Sequence, residues 1–155
     1  MNRRKVILVL AASSILSAAD FSLTIGSPVA AGTVSKVKGS VFAVRLEQCE
    51  DAANSQISGT AEGIVDGARK SVPLQLTATN SPTVFVVPDT WSAAAGPQEG
   101  AWVVTLKATC AKAKAGAIVP IGRAGFIRNS SRFFPRFATP AEVEASLKTL
   151  IGGPK

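Results

Sequence analysis

The clearest strand signal in this sequence is a ten-residue stretch, Ala101-Trp102-Val103-Val104-Thr105-Leu106-Lys107-Ala108-Thr109-Cys110. Its apolar residues recur at every second position, so Trp102, Leu106 and Cys110 share one face of an extended chain. In a strand, side chains at positions i and i+2 point to the same side of the sheet. The stretch therefore predicts a strand packed on a core, with Cys110 on its buried side.

Several short segments on both sides of this stretch alternate in the same way. We predict further strands at Phe21–Gly26, Ser40–Gln48, Ile57–Val65, Ser71–Thr79, Thr83–Val87 and Ala117–Ile121. Asp66-Gly67 is the kind of dipeptide that supplies the positive φ angles of a tight hairpin turn. Short strands with turns every 8 to 12 residues or so, and no helix between them, predict an all-β, antiparallel two-sheet sandwich.

Near the C-terminus the period changes, and the sequence predicts one amphipathic helix. Thr139-Pro140-Ala141-Glu142 has the capping-box pattern, with proline at the first helical position. Val143, Leu147 and Leu150 then recur at helical spacing before Gly152-Gly153 ends the pattern. We expect this helix to pack on the sandwich.

The N-terminus has the pattern of a cleaved secretory signal of the bacterial type. The basic segment Met1–Lys5 precedes the apolar run Val6–Leu16, which is too short to cross a bilayer. Small residues at Ser17-Ala18-Ala19 suit signal peptidase, so we expect cleavage after Ala19, with Ala31 as a second candidate. The mature chain would have 136 residues and a net charge of +4. It would lack a transmembrane segment and be periplasmic or secreted.

The composition fits one folded domain, because 46% of the 155 residues are hydrophobic. We divide the chain into a signal (1–19), a β-sandwich (20–138) and a helix (139–152). The sequence contains no histidine, which excludes Ser-His-Asp and Cys-His catalytic groups and imidazole-containing zinc and copper sites. We therefore expect no catalytic residue, metal site or cofactor, and we favour binding over catalysis.

The chain contains two cysteines, Cys49 and Cys110. In an exported protein, an even number of cysteines predicts a structural disulfide. Two free buried thiols are the alternative interpretation. Because the sequence lacks a C-x-x-C pair, a redox role is not expected.

The segment Gly100–Thr109 resembles a strand near the end of bacterial immunoglobulin-like, fibronectin-like and transthyretin-like domains, with the pattern Gly-x-aromatic-x-hydrophobic. The strand-bound cysteines also resemble an inter-sheet immunoglobulin bridge. However, the tryptophans are Trp91 and Trp102, so none follows Cys49 closely. The resemblance implies an immunoglobulin-like sandwich. Since such domains serve adhesion, carbohydrate binding, chaperoning or spacing, it implies no particular activity.

Positive charge is concentrated in the C-terminal third. No acidic residue lies between Glu99 and Glu142, and this stretch carries +7 while the rest of the mature chain carries −3. A cluster of cations attracts anionic glycans or lipid surfaces. Besides Lys107 in the strand, the candidate residues for an anionic ligand are Lys112, Lys114, Arg123, Arg128, Arg132 and Arg136.

Aromatic residues offer two further candidates, each with a purely structural alternative. In Arg132–Phe137, arginine and phenylalanine interleave, which suits an anionic polymer; alternatively the phenylalanines fill the core beneath the helix and the arginines are solvated. Trp91 lies in a loop of small residues and is a candidate stacking platform for a sugar ring. Alternatively, its indole folds back and caps the sandwich.

These patterns favour an exported, non-enzymatic sandwich that binds an envelope or extracellular partner through the basic C-terminal third. The partner would be a protein or an anionic glycan or lipid surface, and not nucleic acid, because export separates the chain from it. One alternative is an accessory subunit of an envelope assembly, docked through sheet edges or the Val143-Leu147-Leu150 face. Another is a small hydrolase, which would need a carboxylate pair or a serine-lysine pair in a cleft.

Overall fold

A computed structural model of the chain describes residues 20–28, 39–92 and 101–153. The predicted signal and the second cleavage site at Ala31 lie outside these ranges. The described residues form two antiparallel sheets and one C-terminal helix, which confirms the predicted two-sheet sandwich. None of the helices in these ranges is long and apolar enough to cross a membrane.

Within the described ranges the chain forms two short 3₁₀ helices, Ala52–Asn54 and Arg128–Ser130, besides ten strands and the C-terminal α-helix. In order, the strands and the α-helix are β1 (Ser22–Gly26), β2 (Ser40–Glu47), β3 (Gln56–Val65), β4 (Ala68–Leu74), β5 (Thr77–Ala78), β6 (Val84–Pro88), β7 (Ala101–Cys110), β8 (Ala113–Gly122), β9 (Gly125–Phe126), β10 (Arg132–Phe134) and α1 (Pro140–Gly152). The smaller sheet has the order β1-β2-β6-β5. The larger sheet has the order β10-β8-β7-β3-β4, with β9 also paired to β8.

Strand β7 lies in the middle of the larger sheet and has the bounds that its alternation predicts. It pairs with β3 on one side and β8 on the other. Trp102, Leu106 and Cys110 face the smaller sheet and are at most 5% exposed. Val103, on the opposite face, is also buried because α1 covers it. This central strand is therefore covered on both faces.

The main core lies between the two sheets, where inward residues of both pack together. Apolar side chains from β1, β2 and β6 meet those of β3, β7 and β8 there. The largest contributors are Phe21, Leu23, Phe42, Val44, Leu46, Trp91, Trp102, Val104 and Leu106.

The predicted hairpin is present, but its second strand differs from the prediction. Asp66 (φ 51°) and Gly67 (φ 77°) form the two-residue turn between β3 and β4. The segment Ser71–Thr79, predicted as one strand, is divided: β4 ends at Leu74, and β5 belongs to the smaller sheet. The prediction was wrong because the chain crosses between sheets here, burying Leu74 against the core.

The end of the larger sheet is more extensive than the sequence predicts. Strand β8 begins at Ala113 rather than at Ala117, because Ala111 (φ 52°) and Lys112 form a two-residue turn that continues β7 into β8. Residues 132–134, which lie in the arginine-phenylalanine segment, form β10 and pair with β8. The sheet therefore brings the basic segment alongside β8.

Helix α1 has the predicted capping box. The backbone N–H of Glu142 donates to the Thr139 hydroxyl, and the Glu142 carboxylate accepts from the Thr139 backbone N–H. Val143 and Leu147 are 4% and 2% exposed, since they pack on the outer face of the larger sheet. The apolar face of α1 is thus covered by the chain's own sheet.

An ion cluster attaches α1 to the edge of the larger sheet. The Arg69 guanidinium on β4 lies 2.5 Å from a carboxylate oxygen of Glu62 on β3 and 2.5 Å from one of Glu144 on α1. The hydrogen bond to Glu62 raises the pKa of Arg69, which stays charged. Arg69 thereby connects three elements of the fold.

Cys49 and Cys110 form a disulfide with a Cα–Cα distance of 5.7 Å. Cys49 follows β2 of the smaller sheet, and Cys110 is the last residue of β7 in the larger sheet. The predicted disulfide is therefore confirmed and neither cysteine is free, although Cys49 lies just after β2 rather than within a strand.

Candidate functional site

The basic residues of the C-terminal third do not form one continuous surface. Lys112 and Lys114 lie at the turn between β7 and β8, whereas Arg123 follows the other end of β8. At about 3.3 Å per residue, a ten-residue strand separates its ends by roughly 30 Å. Arg128 also lies beyond that far end, after β9, where its guanidinium is 5.6 Å from the Phe126 ring centroid. These four of the six predicted residues are thus divided between two places.

Arg132 and Arg136 are held by one glutamate at the start of α1. Arg136 donates to both carboxylate oxygens of Glu142, at 2.8 and 2.9 Å, and Arg132 lies 3.8 Å from one of them. Each guanidinium carbon also lies 5.0 Å from the centroid of the Phe134 ring. These two arginines therefore stabilise the approach to the helix, and Glu142 offsets part of their charge.

The hydrogen bonds from Arg136 lower the pKa of the Glu142 carboxyl to about 2, and the backbone N–H of Thr139 acts in the same direction. The same contact raises the pKa of Arg136. The carboxylate is thus ionised over the whole neutral and mildly acidic range. The capping box and its arginine partners act as one charged unit there.

We expect the stabilisation provided by Glu142 to be lost only in strong acid. A carboxyl whose pKa is lowered by folding stabilises the native state above its unfolded pKa, here near 4.5. The melting temperature of the wild type should exceed that of Glu142→Gln by a constant amount above about pH 5. The difference should shrink as the pH falls toward 2, the pKa of the folded state.

Thermal unfolding from pH 7 to pH 2 tests this expectation, with Arg136→Gln as the control background. In that background, Glu142→Gln should lower the melting temperature less at neutral pH, because Arg136, the main cause of the lowered pKa of Glu142, is gone. A difference between wild type and Glu142→Gln that does not change with pH would contradict the assignment.

Two lysines form a different arrangement, in which both cover one aromatic ring. The ammonium groups of Lys107 and Lys114 lie 5.7 and 5.3 Å from the centroid of the Phe137 ring. These distances are typical of cation–π contacts. Both lysines are exposed, and no carboxylate within the described ranges pairs with them. Their charge is therefore open to an external anion.

Gly116 explains how Phe137 reaches this position. A Cβ atom at Gly116 would lie 2.6 Å from the carbonyl oxygen of Arg136 and 3.1 Å from backbone atoms of Phe137 and Ala138. Because glycine has no side chain, the backbone of residues 136–138 lies directly on strand β8. This close approach brings the ring within about 6 Å of both lysine ammonium groups.

Beside the lysine pair lies a groove of about 550 Å³. Its lining combines hydroxyl, amide, ammonium and apolar groups, from Ser55, Gln56, Ile57, Ser58, Leu76, Phe85, Lys107, Thr109 and Phe137. Ser58 and Lys107 are directly opposite each other in the β3–β7 pairing. The hydrogen bonds of the described residues include none between these two side chains.

Trp91 is not a stacking platform, and this candidate site is wrong. Its side chain is 3% exposed and belongs to the core between the sheets. The size of the indole favours burial, which was the alternative interpretation of the sequence.

In the arginine-phenylalanine segment, Phe134 packs with Val103 beneath α1. Phe133, in contrast, is 44% exposed.

Sequence reasoning missed the role of Phe137 and of the polar groove residues. Alternation along β7 places Lys107 and Thr109 on the face opposite Trp102, and that signal was available. The positions of Gln56 and Ser58 depend on the register between β3 and β7, which the sequence does not state.

Comparison with protein-family models, with curated proteins and with solved structures found no match.

Proposed function

We propose that this chain is an exported, non-enzymatic β-sandwich that binds an anionic envelope or extracellular partner. The binding surface is the lysine patch, defined as Lys107, Lys112 and Lys114 at the β7–β8 end of the larger sheet. The observation that carries the proposal is that Lys107 and Lys114 share the Phe137 ring without a carboxylate partner in the described ranges.

The lysine patch supports this function better than the arginines do. Arg132 and Arg136 already pair with Glu142, so binding an external anion there would compete with an existing contact. The lysines face solvent and make no such pair within the described residues. The N-terminal signal pattern and the disulfide both support export, since disulfides persist in oxidising compartments.

We expect the double variant Lys107→Ser/Lys114→Ser to bind heparin about thirtyfold more weakly than the wild type at low salt. The reason is the loss of two accessible charges, each contributing on the order of 1 kcal/mol near an anionic surface. The measurement is elution from a heparin column along a salt gradient, supported by titration calorimetry.

The matched control is Arg45→Ser/Lys148→Ser, which removes the same net charge elsewhere. Arg45 lies on β2, and Lys148 lies on α1, 3.5 Å from Glu144. If both double variants elute at the same salt concentration, only the total charge matters. The lysine patch would then be wrong as a site.

The alternative function is that of an accessory subunit of an envelope assembly. For this function, the fold exposes fewer docking surfaces than the sequence suggests. The Val143-Leu147-Leu150 face is not free, because it packs on Val103 and Ile118 of the larger sheet. Docking would have to use sheet edges. The lysine patch is therefore the surface on which we base the proposal.

A further inference from the structure

We infer that the groove beside the lysine patch binds an acidic sugar, a pyranose ring that carries a carboxylate, within a polysaccharide. This inference rests on the proposed function. The lysine patch would supply attraction to an anionic polymer, and the groove would supply selectivity for a sugar. Lys107 belongs to both and joins the two roles.

The charge of the groove matches a single carboxylate. Among the described residues, Lys107 is the one charged residue that lines it, and none of the lining residues there is acidic. A lysine ammonium carries a single positive charge, which one carboxylate balances, whereas a phosphate monoester carries about −1.5 to −2 at neutral pH. The nearby arginines, Arg132 and Arg136, face Glu142 instead. Carboxylate is therefore the anion that this lining favours.

The polar lining suits sugar hydroxyls. In the β3–β7 pairing, Gln56 is opposite Thr109, and Ser58 is opposite Lys107, so the four residues are neighbours on two adjacent strands. Hydroxyl and amide groups both donate and accept hydrogen bonds, as sugar hydroxyls do. Ser55 already donates to the carbonyl of Ala52. The side chains of Gln56, Ser58 and Thr109 make no such bond within the described part of the chain.

Apolar groups complete the groove. Phe137, Phe85, Leu76 and Ile57 contribute to its wall. A pyranose ring has an apolar face of C–H groups that packs on aromatic and aliphatic side chains, while its hydroxyls point outward. The volume of about 550 Å³ lies within the usual range for small-ligand clefts. A flexible acidic peptide would use the lysines, but it would have no need of this combination.

The test compares three probes on the full-length mature protein by titration calorimetry. The first is an oligogalacturonate, the second is its neutral methyl ester, and the third is polyglutamate of matched charge. The wild type should bind oligogalacturonate at least tenfold more tightly than either of the others. Ser58→Ala/Thr109→Val should bind oligogalacturonate about tenfold more weakly, because two hydrogen-bonding groups are lost. Its binding of polyglutamate, which contains no sugar ring, should not change.

The control variant is Ser71→Ala/Thr77→Val, which makes the same substitutions at exposed strand positions outside the groove. It should bind every probe like the wild type. If Ser58→Ala/Thr109→Val binds oligogalacturonate normally, or if polyglutamate binds as tightly as oligogalacturonate, the sugar site is wrong while the lysine patch still stands. If heparin retention also survives Lys107→Ser/Lys114→Ser, the proposed function is wrong as well.

Discussion

Removal of the disulfide by Cys49→Ala/Cys110→Ala is expected to lower the free energy of unfolding by about 4 kcal/mol. The two cysteines are 61 positions apart, so the bridge closes a long loop and restricts the unfolded chain. In addition, the bridge joins the end of the smaller sheet to the central strand of the larger one. For a domain of this size, the melting temperature should fall by roughly 10 to 20 °C.

Thermal and denaturant unfolding of the wild type and the double variant give the measurement. Wild-type protein unfolded in a reductant should behave like the variant, and the reductant should leave the variant itself unchanged. Thiol titration of the native, unreduced protein should detect no free thiol. A loss of less than about 1 kcal/mol would mean that the bridge closes a loop already restricted in the unfolded state.

The substitution Gly116→Ala is expected to destabilise the protein by roughly 2 to 3 kcal/mol, the cost typical of forcing extra atoms into a packed site. The added Cβ would lie 2.6 Å from the carbonyl oxygen of Arg136, which is backbone and has little room to move. The segment leading into α1 would therefore shift away from β8. Because Phe137 lies in that segment, we also expect weaker heparin binding.

Gly122→Ala is the matched control, since Gly122 lies on the same strand. Its added Cβ would be 3.3 Å from the side chain of Ile127, whose end can rotate away. The unfolding free energy of this variant should stay within about 0.5 kcal/mol of the wild type. Equal losses of unfolding free energy for the two substitutions would show that a side chain at either glycine of β8 is destabilising. The close approach of residues 136–138 would then not be the cause.

Much of the fold could be predicted because its signals are local. The alternation of β7, the Asp66-Gly67 turn and the capping box at Thr139 each depend on residues close together in sequence. The pairing of Cys49 with Cys110 followed from their number and the predicted export. The crossing of the chain from one sheet to the other after Leu74 was not predictable, because the alternation of a short segment does not indicate which of two sheets it joins.

The candidate site depended on contacts between distant residues, and the sequence therefore described it only in part. A count of charges treats Arg132, Arg136 and Lys114 alike. In the fold, Glu142 neutralises part of the charge of the arginines, whereas Lys114 joins Lys107 on one ring. The same count gave no reason to include Phe137, whose position follows from the missing side chain at Gly116.

Strand β4, at the end of the larger sheet, has a consequence for the behaviour of the protein at high concentration. An edge strand offers unpaired backbone groups, and these invite growth of the sheet by addition of a second molecule. In β4, Pro73 has no N–H to donate, so it interrupts the row of backbone donors along this edge. This edge therefore resists fibrous self-assembly.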